Sequence, residues 1–220
     1  MLRELGQVDM HRACIPERYW NVMLKNIPDS VPYKQAAKAY MRDLEKFIKE
    51  GVGLFLWSKD NSTGKTALGI LCLMQTMRLG KTAMFIPSFD LTAYSVDKNM
   101  FDEGQTMFER ARKVDVLLID DADKEYKTSS GWAENMVENM IRYRVQKNKV
   151  VIVTSNLPPS DIKNVYSKAL SELCREAMVQ LEIVGEDKGG LNWRKQKEKE
   201  LKTLLSGGGR ANGGFRTTAN

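Results

Sequence analysis

Nowhere along its 220 residues does the chain carry an apolar run near the roughly 20 residues that a membrane-spanning helix needs. Nor does Met1-Leu2-Arg3-Glu4 open onto the apolar core of a secretory signal, so a soluble, cytoplasmic protein with no membrane partner is expected. Cysteine is sparse: Cys14, Cys72 and Cys174 stand far apart and form no C-x-x-C pair. His11 is the single histidine, and with Cys14 it supplies two ligands where a zinc site needs four. Acidic residues run short only at the C-terminal end. Beyond residue 187, Lys188, Arg194, Lys195, Lys197, Lys199, Lys202, Arg210 and Arg216 face only Glu198 and Glu200. The whole net charge of +6 therefore resides there, and residues 1–187 are neutral. Such an excess can track a phosphate backbone or simply keep a tail in water. There is no internal repeat.

Hydrophobic residues make up 42% of the chain, enough for the core of one domain. Residues 1–33 read as irregular, punctuated by Pro16, Pro28 and Pro32. Residues 34–50 space Ala37, Tyr40, Met41, Leu44, Phe47 and Ile48 at helical intervals, and Gly51 is a natural stop. From there short apolar runs alternate with helical patterns. Strands are predicted at 52–57, 82–86, 114–120, 149–155 and 179–184, and helices at 65–79, 88–98, 104–112, 131–147 and 166–177. Strands that are apolar throughout and separated by helices predict an α/β fold, a five-stranded parallel sheet covered on both faces. A charged helix over 191–205 and a Gly-rich tail over 206–220 follow.

The sharpest motif is Ser62-Thr63-Gly64-Lys65-Thr66, between a predicted strand and a predicted helix. In that setting helix-start amides and the positive end of the helix dipole face the phosphates of a nucleotide. Lys65 would reach the β- and γ-phosphates, and the Thr66 hydroxyl would help to hold Mg²⁺. The pattern G-x-x-x-x-G-K-[ST] has glycine where this chain has Lys59, and a positive φ would strain a lysine there by about 1 kcal/mol or more. Read alone, the motif favours a nucleotide, with an ordinary Gly-Lys-Thr helix start as the alternative.

Val116-Leu117-Leu118-Ile119-Asp120-Asp121 is an apolar strand tipped with two carboxylates. Asp120 suits Mg²⁺, and Asp121 stands where a base could polarise an attacking water, one methylene shorter than a glutamate. A third strand ends at Thr154-Ser155-Asn156; in a parallel sheet these tips share one crevice, which would bring Asn156 beside Asp121 to orient that water. Phe89, just after the second strand, suits either the core or a stack on an exposed base.

Ile15-Pro16-Glu17-Arg18-Tyr19-Trp20 resembles the I-P-x-R-[FY] segment that opens the ATPase domain of DnaC-like helicase loaders. Ile141-Arg142-Tyr143-Arg144 with the VVIVTSNLPPSDI stretch, Leu173-Cys174-Arg175-Glu176, and Gly189-Gly190-Leu191-Asn192-Trp193-Arg194 resemble further motifs of that family and of IstB-like transposition ATPases, in the same order. Such a resemblance, over roughly residues 12–195, implies a P-loop AAA+ core over 34–190, an N-terminal extension with the family's opening segment over 1–33, and a short C-terminal lid. It implies a homo-oligomeric, Mg²⁺-dependent ATPase binding ATP, in which Arg175 is an arginine finger and Arg194 a second sensor. Many AAA+ loops carry glycine where Ser62 stands. The implied partners are DNA, single-stranded in preference to duplex, and a replicative helicase. Only about a dozen residues precede the opening segment, where loaders carry a helicase-grasping domain, so a transposition helper that coats duplex DNA beside a transposase stays open. So does a non-hydrolysing nucleotide-dependent adaptor.

Overall fold

The computed structural model describes residues 2–91, 103–123 and 132–185, with Lys195, Glu198, Lys199 and Lys202 beyond them. Five strands, β1 (Gly53–Trp57), β2 (Ala83–Pro87), β3 (Val116–Asp120), β4 (Val150–Ser155) and β5 (Met178–Glu182), form one sheet in the order β2-β3-β4-β1-β5. Every neighbouring pair is parallel, as the apolar runs predict. All of β3 and β4 is buried, which explains why those stretches carry no polar alternation.

Helices cover both faces. On one side lie α1 (Gln7–Arg12), α2 (Lys34–Arg42), α3 (Leu44–Glu50) and α4 (Lys65–Arg78), packed on the residues of one parity, such as Leu54, Leu56, Leu118 and Ile152. On the other, Phe55, Leu117, Ile119 and Val153 meet α5 (Glu103–Lys113), α6 (Trp132–Gln146) and α7 (Lys168–Ala177). The long helix α4 is buried from Ala67 to Met74, because it lies between the sheet and the N-terminal segments.

Two stretches depart from the sequence reading. Residues 1–33 are not uniformly irregular: Met10, Ala13, Ile15, Ile27, Val31 and Tyr33 are buried in the first core cluster, and residues 7–12 are helical. Six residues are too few for periodicity to show; the local signal is the Asp9 carboxylate, which accepts the Gly6 amide at 2.9 Å. The helix over 34–50 is broken at Asp43 (φ −95°, ψ 12°) into α2 and α3. The break turns the chain without interrupting the apolar stripe that periodicity detects. Gly51 does end α3, at φ 73°.

The predicted basic helix over 191–205 falls mostly outside the described residues; Lys195, Glu198, Lys199 and Lys202 are helical. Arg194, with the lid it would belong to, lies outside them, as does the tail over 206–220. Among the described residues no helix is long and apolar enough to cross a membrane, and no group of His, Cys, Asp and Glu is arranged to hold a metal by itself.

Candidate functional site

Because the sheet is parallel, the carboxyl ends of β1, β3 and β4 share one edge, and the chain leaves all three there with polar residues. After Trp57 the Ser58 amide still donates to Ser155 at 3.2 Å, extending the ladder by one residue, and the Ser58 hydroxyl then accepts the Asp60 amide at 3.2 Å. The loop so begun closes at Gly64, whose φ of 98° starts α4 at Lys65. Tyr33 holds the loop from below, its hydroxyl donating to the Thr63 carbonyl at 3.3 Å, and burial pushes its phenol up to about 12.

Lysine at position 59 proves unstrained. It is exposed and is not among the residues of positive φ, whereas Ser62 is, at φ 63°. The bend therefore falls three residues later than expected, two residues before Gly64. A non-glycine residue in that region is strained by about 1–2 kcal/mol. Ser62→Gly is expected to raise stability by up to about 1 kcal/mol, the relieved strain being partly offset by a looser unfolded chain. A thermal scan should show a rise of about 2–4 °C per kcal/mol gained. A lower melting temperature would mean that the Ser62 side chain supports the loop.

Lys65 is buried, and its ammonium donates to the Asp60 carbonyl and to Asn156 Oδ1, both at 3.0 Å. The Thr66 hydroxyl donates to Asp120 Oδ1 at 2.8 Å, and Thr154 donates to the same oxygen at 2.6 Å. Asp120 is buried. A hydroxyl and a carboxylate oxygen converging at the loop are hard donors that fit Mg²⁺. From the Ile15–Trp20 segment, Tyr19 brings its phenol against the Thr66 hydroxyl; burial raises that phenol, and the Asp120 charge adds to the shift.

Asp121 adopts φ 54°, its amide held by Thr154 Oγ1 at 2.8 Å and its carbonyl by the Ser88 hydroxyl at 2.9 Å. Both ends of its backbone are thus fixed at the crevice. Asn156 stands in the same crevice, against Lys65 on one side and Asp123 on the other. Sequence reading missed Asp123 and Tyr33, because neither belongs to a local pattern and both act across about 30 residues of chain. Thr63 is buried with its hydroxyl unpartnered among the described residues. Phe89 is 56% exposed, in a helix that opens at Ser88, so it is not a core residue.

Arg175 is not brought to this crevice. It is exposed in the last turn of α7, and Gly53 pairs with Met178, so α7 ends where β1 begins. Along β1 that is some 13 Å from the loop, at about 3.3 Å per residue.

No protein-family model matches the chain, and no curated protein matches its sequence. Solved structures do match. The DnaC helicase loader superposes with a TM-score of 0.64 at 24% identity, over 76% of this chain and 99% of that one. DnaI gives 0.63 at 17% identity, over 81% and 93% of the two chains. The chain shares the fold of these loaders. The replication initiator DnaA, bound to AMPPCP and single-stranded DNA, shares this fold with a TM-score of 0.61 at 18% identity, over 83% of this chain and 56% of its own. At such identities the common property is the fold, and within it the loop after β1 and the Asp120 tip of β3 stand against each other.

Proposed function

We propose that the chain is a Mg²⁺-dependent ATPase that acts on DNA as a homo-oligomer, in the role of a replicative helicase loader. The observation that carries the nucleotide half is the 2.8 Å hydrogen bond from Thr66 to Asp120, with the buried Lys65 ammonium beside it. Such a constellation has little use except beneath phosphates. Lys65 would turn from the Asp60 carbonyl to the β- and γ-phosphates, while Thr66 and Asp120 would hold Mg²⁺, which supplies charge neutralisation there. Asp121 would take the proton of the attacking water. Arg175 is exposed at the end of α7, about a strand's length from its own loop, so its action on a γ-phosphate would come from a second copy of the chain. Arg194 is assigned the second-sensor role by its motif.

The DNA half is supported by charge and by an exposed ring. Lys195, Lys199 and Lys202 are each helical. Arg3, Arg12, Lys81, Arg110 and Lys113 line a crevice of about 950 Å³ that also holds Asp9 and Glu109. Phe89, 56% exposed just after β2, would be the residue that stacks on a base. DnaA, with the same fold, was captured with both a nucleotide analogue and single-stranded DNA.

Calorimetry with MgATP tests the first half: Lys65→Ala is expected to weaken binding by about 30-fold or more, since a charge-assisted hydrogen bond contributes on the order of 2 kcal/mol. Unchanged affinity would remove the phosphate role from the loop. Electron microscopy with ATP and DNA tests the second. A short spiral on single strands is expected; long filaments on duplex would instead make the chain a transposition helper, and monomers on both would make it an adaptor.

A further inference from the structure

Asp123 has no part in the chemistry above, yet it holds Asn156 by two bonds. Its Oδ1 accepts the Asn156 backbone amide at 2.6 Å, and its Oδ2 accepts the side-chain Nδ2 at 2.9 Å. A carboxylate only accepts, whereas an amide side chain can present either end. Gripped in this way, Asn156 can turn only Oδ1 toward Lys65, and the ammonium donates to that oxygen at 3.0 Å. The result is a file of cation, amide and anion running from the loop to the turn after β3.

The turn that delivers Asp123 is itself pinned. Asp121 enters the left-handed region, Ala122 donates its amide to the Thr154 carbonyl at 2.9 Å, and Tyr166 donates its hydroxyl to the Ala122 carbonyl. Backbone stitching between the tips of β3 and β4 is thus complete before Asp123 is counted. Its second oxygen is spent on the Asn156 side chain, which stitching does not need.

We infer that Asp123 is a positioning residue for the terminal phosphate: it fixes the rotamer and amide orientation of Asn156, and through Asn156 the resting place of the Lys65 ammonium. The inference rests on the nucleotide reading of the loop. Asn156 touches the ammonium end of Lys65, the end that serves the last phosphates, so a loosened Asn156 should be felt by a triphosphate far more than by a diphosphate.

The test is calorimetry with MgATP and with MgADP on the full chain. Asp123→Ala is expected to weaken ATP binding about tenfold while ADP changes by less than about threefold. Asp123→Asn keeps the size and the fold but sets a donor against a donor, and should lose part of the same preference. In an Asn156→Ala background, Asp123→Ala should change the ATP-to-ADP ratio by less than about twofold, because a residue that acts through another has nothing left to act through. A fall in melting temperature with an unchanged ratio would overturn the inference and leave Asp123 a turn residue. So would effects of Asp123→Ala and Asn156→Ala that simply add. Wild-type protein that binds neither nucleotide would overturn the nucleotide reading together with it, so the two failures are distinguishable.

Discussion

Arg144→Met is expected to cost about 3–5 kcal/mol of folding free energy, although Arg144 lies away from the nucleotide crevice. Its side chain is fully buried. One terminal nitrogen donates to the carbonyls of Ala111 at 2.6 Å and Arg112 at 3.3 Å, the other to those of Asp115 at 3.1 Å and Val150 at 2.8 Å. The first two are last-turn carbonyls of α5, which have no partner within the helix and sit at the negative end of its dipole. The other two precede β3 and begin β4. One guanidinium therefore ties a helix end to the amino ends of two central strands. Burial pushes it down to about 9, so it remains charged at neutral pH and must be balanced by those acceptors. Methionine would fill much of the space but leave carbonyls unpaired, each costing about 1–3 kcal/mol. Arg144→Lys keeps the charge without the fork and should lose roughly half as much. Urea unfolding of the three proteins measures this. A loss under about 1 kcal/mol for methionine would show that water takes over the clamp.

Arg144 also marks the limit of what was legible beforehand. The motif around it, Ile141-Arg142-Tyr143-Arg144, resembles a family signature, but a resemblance does not say what an arginine touches. Arg142 turns out to bind Glu138 at 2.7 Å, and Glu138 in turn accepts the Ser167 hydroxyl at 2.6 Å; Ser167 caps α7. Arg142 thus ties α6 to the start of α7, while Arg144 is fully buried. The parallel sheet was readable because β3 and β4 are buried on both faces and cannot carry polar residues without a partner. The phosphate loop was readable because its chemistry is contiguous. Lys59 was misjudged because the expected position of the strained φ came from a pattern, whereas the chain takes its bend at Ser62. Asp123 was missed because its partner comes 33 residues later, at a strand tip that only the sheet brings near.

Arg175→Ala should reduce turnover by the assembly about 10³-fold or more, the range an engaged arginine finger supplies, while leaving ATP binding by the isolated subunit intact. The register argues for this separation. Met178 pairs with Gly53 at the start of β1, so the end of α7 lies a strand's length from the loop after Trp57. Arg175 is exposed there and makes no ion pair among the described residues. Asp121→Asn should instead lower turnover about 10²–10⁴-fold from within the subunit, since it keeps the shape of the turn and removes the base. Mixing the two variants then decides where the finger acts. In a mixed assembly, some interfaces join an intact Arg175 from one subunit to an intact Asp121 in the next, and activity should return at those interfaces alone. Turnover measured across mixing ratios would peak near equal amounts. If no activity returns at any ratio, with mixed assembly confirmed by mass, Arg175 does not reach across an interface and the requirement for a second copy falls.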